Sequence, residues 1–458
     1  VNLAKRIEAS ELVAAGSKDG KAISTEGVSL ADFRAYMPSH NYIFMPSGEH
    51  WPSSSVNSRI RPLVDLEPDG TPRVDEKGKL KTLTASNWLD RERPVEQITW
   101  APGEPQVIEG RLTSEGGWVE RPGCNVFNLY QPPVIKPGDA SAAKPWIDLL
   151  KLVFPQDATH ILNWLAHRVQ RPHEKINHAI IMGGAQGIGK DTILEPVKAA
   201  IGPPNFVEVS PQHMLGRFNG FVKSVILRVS EARDLGDVDR YAFYDHMKTY
   251  TAAPPDVLRV DEKHAREYSV HNVCGVIITT NHKTNGVFLP ADDRRHYVAW
   301  SDLNRESFKA DYWTNLYRWY NNGGVWHVAA YLRTLDISGF DAKAPPAKTA
   351  AFWDIVSAGK APEDAEVADA LETLCWPSAL TVELLKSAAT PEFRGFLSDR
   401  RNSRRIPHRF EECGYVAVRN RHATDGLFKV NGKRGVIYAK KTLCERDQIA
   451  AAESLTGR

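Results

Sequence analysis

The run Gly183-Gly184-Ala185-Gln186-Gly187-Ile188-Gly189-Lys190-Asp191-Thr192 combines glycines, one lysine and a hydroxyl in an order suited to holding a polyphosphate. Glycines let backbone N–H groups turn inward onto phosphate oxygens, and a helix starting after them adds its positive dipole end. Lys190 would then reach the β- and γ-phosphates. The relaxed pattern G-x-x-x-x-G-K is weak by itself. Its weight comes from the apolar stretch Ala179-Ile180-Ile181-Met182 before it, which predicts a strand, and from Ile193-Leu194 after it, which predicts a helix. The residues from Gly184 to Thr192 are therefore the candidate nucleotide-binding segment, with ATP and Mg²⁺ as the expected ligands. Where a serine or threonine usually follows the lysine, Asp191 stands, and the hydroxyl comes one place later at Thr192. Either Thr192 reaches Mg²⁺, or the hard carboxylate oxygens of Asp191 do so directly or through water. Pro196 removes a backbone donor from the expected helix and predicts one that is short or kinked.

Such a loop needs a second strand ending in an acid, and Ser224-Val225-Ile226-Leu227-Arg228-Val229-Ser230-Glu231 fits. Glu231 is the candidate for aligning or deprotonating an attacking water and a further metal candidate. Ser230 stands where a paired acid is usual, which points to weaker or water-mediated coordination. A third apolar run, Gly275 to Thr280, ends at Asn281, whose amide suits holding that water in line. Arg294 and Arg295 follow. Either is suited to stabilising charge on a transferring phosphoryl group, the alternative being a surface ion pair with Asp292 or Asp293. Between acid and amide, Leu258 and Val260 alternate on one arm and Tyr268 and Val270 on the other. This predicts a hairpin presenting Lys263, His264 and Arg266, able to contact nucleic-acid phosphates or else simply solvated.

These residues need elements to position them. Residues 1–135 read as short strands broken by turns at Pro68-Asp69-Gly70, Glu115-Gly116-Gly117 and Arg121-Pro122-Gly123, with Trp51, Trp88, Trp100 and Trp118 as core anchors. Residues 136–177 are a linker followed by two helices. The first buries Trp146, Leu149, Leu150 and Val153; the second is capped by Asp157, carries Ile161, Leu165 and Val169 on one face, and stops at Arg171-Pro172. Residues 178–345 alternate apolar runs with helical stretches, the pattern of a parallel α/β core. Pro345-Pro346 reads as a joint to residues 346–458, a linker and then a domain with a basic segment over roughly 380–442. There, a helix around Leu384-Leu385 precedes Arg400, Arg401, Arg404, Arg405, His408 and Arg409. Strands at Tyr415–Val418 and Gly435–Ala439 then flank the turn Asn431-Gly432-Lys433-Arg434. That order reads as a winged-helix-like domain whose arginines, Arg404, Arg405 and Arg409 among them, would neutralise DNA phosphates.

Composition sets the outer bounds. The 458 residues are 42% hydrophobic and 25% charged with a formal charge of +2, so a nucleic-acid partner would have to be met by local patches. Five scattered cysteines without a C-x-x-C pair argue against a disulfide scaffold or cysteine-built zinc site and suit a reducing compartment. No apolar run reaches the roughly 18 residues of a membrane span, and the first residues lack a signal-peptide core, so a cytoplasmic, non-secreted protein is expected. The start at Val1 without methionine suggests a processed product or a fragment.

In their order, Gly184-x4-Gly189-Lys190, Glu231, the Lys263-His264 hairpin, Thr279-Thr280-Asn281 and Arg294-Arg295 resemble superfamily 3 helicases. The likeness is greatest to the helicase part of phage- and mobile-element-encoded primase-helicases related to the poxvirus type, over about residues 145–345. The resemblance implies an AAA+-like ATPase of α/β class, assembled as a homo-hexameric ring with ATP bound between subunits and single-stranded or forked DNA in the channel. Lys190 would be the phosphate-loop lysine, Glu231 the Walker B acid, Asn281 the sensor and Arg294 or Arg295 the finger reaching the neighbouring subunit. Lys263 and His264 would form the tip that tracks DNA. No acid cluster for primer synthesis occurs in residues 1–135, so any primase would lie upstream of Val1 or in a partner. Two other readings remain: a nucleotide or small-molecule kinase, and a non-catalytic DNA-binding initiator switched by ATP.

Overall fold

The computed structural model describes residues 27–230, 240–263, 266–283, 287–358, 362–403 and 405–456. Glu231, His264 and Arg404 lie outside the described residues. Two compact units, Val1–Ile355 and Val356–Arg458, make up the chain; the β-rich N-terminal part belongs to the first of them.

Apolar runs too short for helices form strands, the central ones buried on both faces and the edge strand Phe206–Val209 only partly so. Five of these make one all-parallel sheet: β1 (Ala179–Gly184), β2 (Phe206–Val209), β3 (Ile226–Val229), β4 (Gly275–Thr280) and β5 (His296–Ser301). Their order is β2-β3-β4-β1-β5, with every neighbouring pair parallel. The loops after β1, β3 and β4 therefore open at one end of the sheet, where α/β proteins gather their ligands.

The helix following β1 spans Lys190–Ile201 and runs through Pro196 without a break, where the sequence predicts a short or kinked one. Proline cannot donate to the carbonyl four residues back, and its ring crowds that turn. The Tyr320 hydroxyl replaces that missing donor, donating to the Thr192 carbonyl at 2.9 Å, and Trp146 Nε1 donates to the next carbonyl, that of Ile193, at 2.9 Å. Trp146 comes from the helix Lys144–Val153, which buries it with Leu149, Leu150 and Val153. The next helix, Ala158–Gln170, begins after Asp157, yet the Asp157 carboxylate does not cap it and instead accepts from the Tyr297 hydroxyl at 2.8 Å. Beyond β5 come helices Tyr312–Trp319 and Val325–Thr334, joined through a kink where Gly323 takes φ +97°.

In the N-terminal part, strands Phe33–Tyr36, Asn41–Phe44 and Glu49–Trp51 form an antiparallel meander, with Pro94–Val95 added in parallel. A second sheet places Gly117–Asn128 between Gln97–Thr99 and Val107–Ser114. Arg121-Pro122-Gly123 is not a turn: it lies inside the strand Gly117–Asn128, where pairing jumps from Glu109↔Asn125 to Arg111↔Glu120. The segment bulges out exposed, which lets a proline sit in a strand. Trp88 and Trp100 are buried, and Trp51 and Trp118 pack against small apolar clusters, as core anchors do.

In the second unit, helices Val382–Ala388, Pro391–Ser398 and Ile406–Glu412 accompany an antiparallel sheet of Ala379–Thr381, Ile437–Lys440 and Tyr415–Val418. Phe410 stacks on Tyr438 with centroids 4.1 Å apart in its core. The expected strand Gly435–Ala439 is divided: Lys433–Gly435 pairs with Phe428–Val430 in a small hairpin, and Ile437–Lys440 joins the larger sheet. Asn431 and Gly432, with φ of 49° and 79°, close that hairpin by a turn needing two left-handed residues. Among the described residues no helix is long and apolar enough to cross a membrane.

Candidate functional site

At the open end of the sheet, Glu208 of β2, Arg228 of β3 and Thr279 and Thr280 of β4 meet the loop after β1 around a cavity of about 480 Å³. From β1 the chain passes through Gly184 into the loop, and Ile188 is fully buried, pinning the loop to the core. Gly189 takes φ +94°, and a Cβ there would fall 2.5 Å from the Trp313 ring, so a glycine is required both by conformation and by space. Lys190 opens the helix with its side chain turned back into the loop. Its Nζ donates to the carbonyls of Gly184 (2.7 Å) and Ala185 (2.8 Å) and to Asn281 Oδ1 (2.8 Å) just after β4. Three acceptors surround one buried ammonium, a cradle from which it can transfer to phosphate oxygens. Burial lowers the Lys190 pKa to about 8, with Asp191 opposing and Arg228 adding to the shift.

The loop's last two residues are both engaged. The Thr192 hydroxyl lies 3.0 Å from that of Tyr317, and the Asp191 carboxylate accepts from Arg228 Nη2. Arg228 rises from β3, is nearly buried, and also reaches Thr279 Oγ1 at 3.3 Å and Glu208 Oε2 at 3.5 Å. Sequence reasoning passed over it. The available signal was a lone charge inside the apolar strand Ile226–Val229, which a buried position tolerates only with partners. Glu208, Arg305, Trp313 and Tyr317 complete the lining and were also missed, because they come from segments with no motif of their own.

The donors near the loop's end, a hydroxyl and a carboxylate, are hard oxygens that suit Mg²⁺. Among the described residues no group of three or more His, Cys, Asp or Glu could hold a metal ion unaided. A divalent ion here would need the oxygens of a bound phosphate as further ligands, as Mg²⁺ commonly does in nucleotide sites.

Glu231 follows Ser230, which lines this cavity, but lies outside the described residues. Arg294 and Arg295 precede β5, beside the first residue of β1, and so sit at the opposite end of the sheet, about 20 Å from the loop for a six-residue strand. They cannot serve the pocket of their own chain. Among the described residues neither forms an ion pair; Asp293 is instead held by His296 (3.2 Å) and the Tyr244 hydroxyl (2.8 Å).

The expected hairpin is present, pairing Val257–Val260 with Tyr268–His271 and burying Leu258, Val260, Tyr268 and Val270. Lys263 and Arg266 are exposed at its tip. Its outer strand is fastened to the N-terminal part: Thr99 Oγ1 donates to the Ser269 carbonyl at 2.8 Å, and Trp118 packs on His271 with centroids 5.0 Å apart. In the second unit Arg405 is exposed near the Phe396 ring, whereas Arg409 is buried and paired with both Asp364 oxygens at 3.1 and 3.2 Å. In this arrangement Arg409 serves the unit's interior and offers DNA no free charge.

A family model described as a family of unknown function, DUF5906, matches residues 181–295, from β1 to the edge of β5. No curated protein matches. The chain is similar in fold to the C-terminal region of NrS-1, with 17% identity and a TM-score of 0.55 over 87% of this chain and 93% of that one. A second structure of that region, its A form, gives 17% identity and a TM-score of 0.54 over 89% and 96%. A JCV helicase aligns with 51% of this chain and 65% of its own at 12% identity and a TM-score of 0.28, too low to define a shared fold.

Proposed function

We propose that this chain is the ATP-driven motor of a DNA helicase of the superfamily 3 type, with an AAA+-like core, working in phage or mobile-element replication. The observation that carries the reading is the Lys190 cradle, in which one ammonium bridges the glycine loop of β1 and the amide after the neighbouring strand β4. On ATP binding, Lys190 exchanges loop carbonyls for β/γ-phosphate oxygens, and Asn281, released from it, is free to hold the attacking water. Thr192, or Asp191 once released from Arg228, would hold Mg²⁺ together with the phosphates; the ion would neutralise charge developing on the transferred group. Glu231 would take the water's proton. Arg294 or Arg295, remote from the pocket of their own subunit, would complete the pocket of a neighbour, which requires a ring or other head-to-tail assembly. Lys263, His264 and Arg266 would grip single-stranded DNA, and a winged-helix-like second unit would add sequence-independent phosphate contacts through Arg404 and Arg405.

The test is steady-state ATP hydrolysis at low salt with and without single-stranded DNA. Strong stimulation is the expected result. Slow, DNA-indifferent turnover would favour an ATP-switched initiator instead, a reading that the Asp191–Arg228 pair supports because it keeps the carboxylate from a metal. DNA-independent phosphate transfer to a small acceptor would mark a kinase.

A further inference from the structure

A second cleft, about 570 Å³, lies between the hairpin and the N-terminal strands. It is a built feature of the first unit. Its walls are joined on one side by the Thr99–Ser269 bond and on another by Asn205 Nδ2 donating to the Gln131 carbonyl at 2.8 Å.

The two walls differ in chemistry. From the hairpin side come three cations, Lys223, Lys263 and Arg266. Glu262 neutralises Lys223 at 2.8 Å, whereas among the described residues Lys263 and Arg266 make no ion pair, leaving two uncompensated positive charges at the mouth. From the N-terminal side come rings: Tyr36 packed edge-on to His50 with centroids 5.5 Å apart, and Tyr130 packed edge-on to Trp100 at 5.9 Å. Carboxamides of Asn41 and Gln106 share that wall. Among the described residues Asn41 Oδ1 is buried without a hydrogen-bond partner, an acceptor that costs free energy unless something donates to it.

Cations for a phosphate, aromatic side chains lining the wall for a planar base, the exposed His50 among them, and an unfilled acceptor for a base N–H describe one ligand class. We propose that this cleft binds a nucleotide unit, its phosphate on Lys263 and Arg266 and its base against the N-terminal wall. The proposal extends the DNA-motor reading and rests on it only for the source of that nucleotide, a single strand. It gives the N-terminal part a direct role: residues far from the phosphate loop hold the base while the hairpin holds the backbone.

The experiment uses the full chain and an oligodeoxythymidylate carrying 4-thiothymidine, crosslinked by light and mapped by mass spectrometry. Crosslinks are expected in peptides of both walls, those containing His50 or Gln106 as well as those of the hairpin. His50→Glu and Gln106→Glu, at exposed positions, should each weaken oligonucleotide binding about tenfold by fluorescence anisotropy, as should Arg266→Glu. Crosslinks confined to the hairpin or the second unit, with unchanged binding by the His50 and Gln106 variants, would overturn the proposal. Excess dTMP serves as competitor: crosslinks that persist support a strand as the source, and crosslinks that vanish support the same nucleotide chemistry from a free monomer. ATP turnover is read in parallel. Its absence would remove the motor reading while leaving wall crosslinks, and the cleft assignment, standing.

Discussion

The phosphate pocket and the hairpin cleft are built on opposite plans. The phosphate-facing groups of the first hang from strand ends and a helix start of one parallel sheet, so backbone registry fixes Lys190 against Asn281. The second is assembled from segments with no shared ladder, Tyr36 and His50 on one side and Arg266 and Tyr268 on the other, held by a few side-chain bonds. A site made by a sheet end is stiff and suits positioning for chemistry. A site made by a clamp between two parts can open, and suits a ligand that must pass.

The contrast is sharpest where a single atom carries the pocket. Lys190→Ala should lower ATP turnover by about 10²–10³-fold or more, to background, in a coupled phosphate-release assay. Retained turnover would take the pocket out of the argument. Within the same pocket, Arg228→Met leaves the carboxylates of Asp191 and Glu208 without their cation. A double-mutant cycle with Asp191→Asn should return a coupling of about 1 kcal/mol in unfolding free energy, and additive effects would show the pair to be idle. In the cleft the expected effect is on coupling: Lys263→Ala combined with Arg266→Ala should reduce DNA stimulation of hydrolysis several-fold and flatten the salt dependence of DNA binding by up to two ions. Undiminished stimulation would return the hairpin to an ordinary solvated turn.

The smallest expected effect is a proton. Free Lys190 titrates near 8, below its ordinary 10.5, and phosphates would restore the charged form. Nucleotide affinity should therefore be flat below about pH 7 and fall as pH rises through 8. Binding near pH 8.5 should take up a fraction of a proton, read by calorimetry in buffers of differing ionisation enthalpy. Proton release, or no linkage, would mean that the ammonium does not reach the phosphates.

The same contrast explains what could be read in the chain. Apolar runs at β1, β3 and β4, the first leading into glycines and the others into polar residues, announce both the sheet and Lys190, Thr192 and Asn281, because a parallel sheet writes its order into local pattern. Arg228 was visible as a charge in a buried strand and needed only the question of its partner. The cleft was not legible: Thr99 and Ser269, or Gln131 and Asn205, meet through tertiary packing that no local period records. Arg121-Pro122-Gly123 failed for a related reason, since turn chemistry and an exposed bulge use the same residues. Arg409 looked like part of a basic face because sequence does not say which side of a short helix meets Asp364.

The Tyr320 hydroxyl that replaces the one donor missing at Pro196 ties the phosphate-loop helix to a side chain far along the chain. Tyr320 is indispensable only while the proline is there: Tyr320→Phe leaves the Thr192 carbonyl without its donor, but in a Pro196→Ala background the helix supplies that donor from its own backbone. The two positions are thus epistatic.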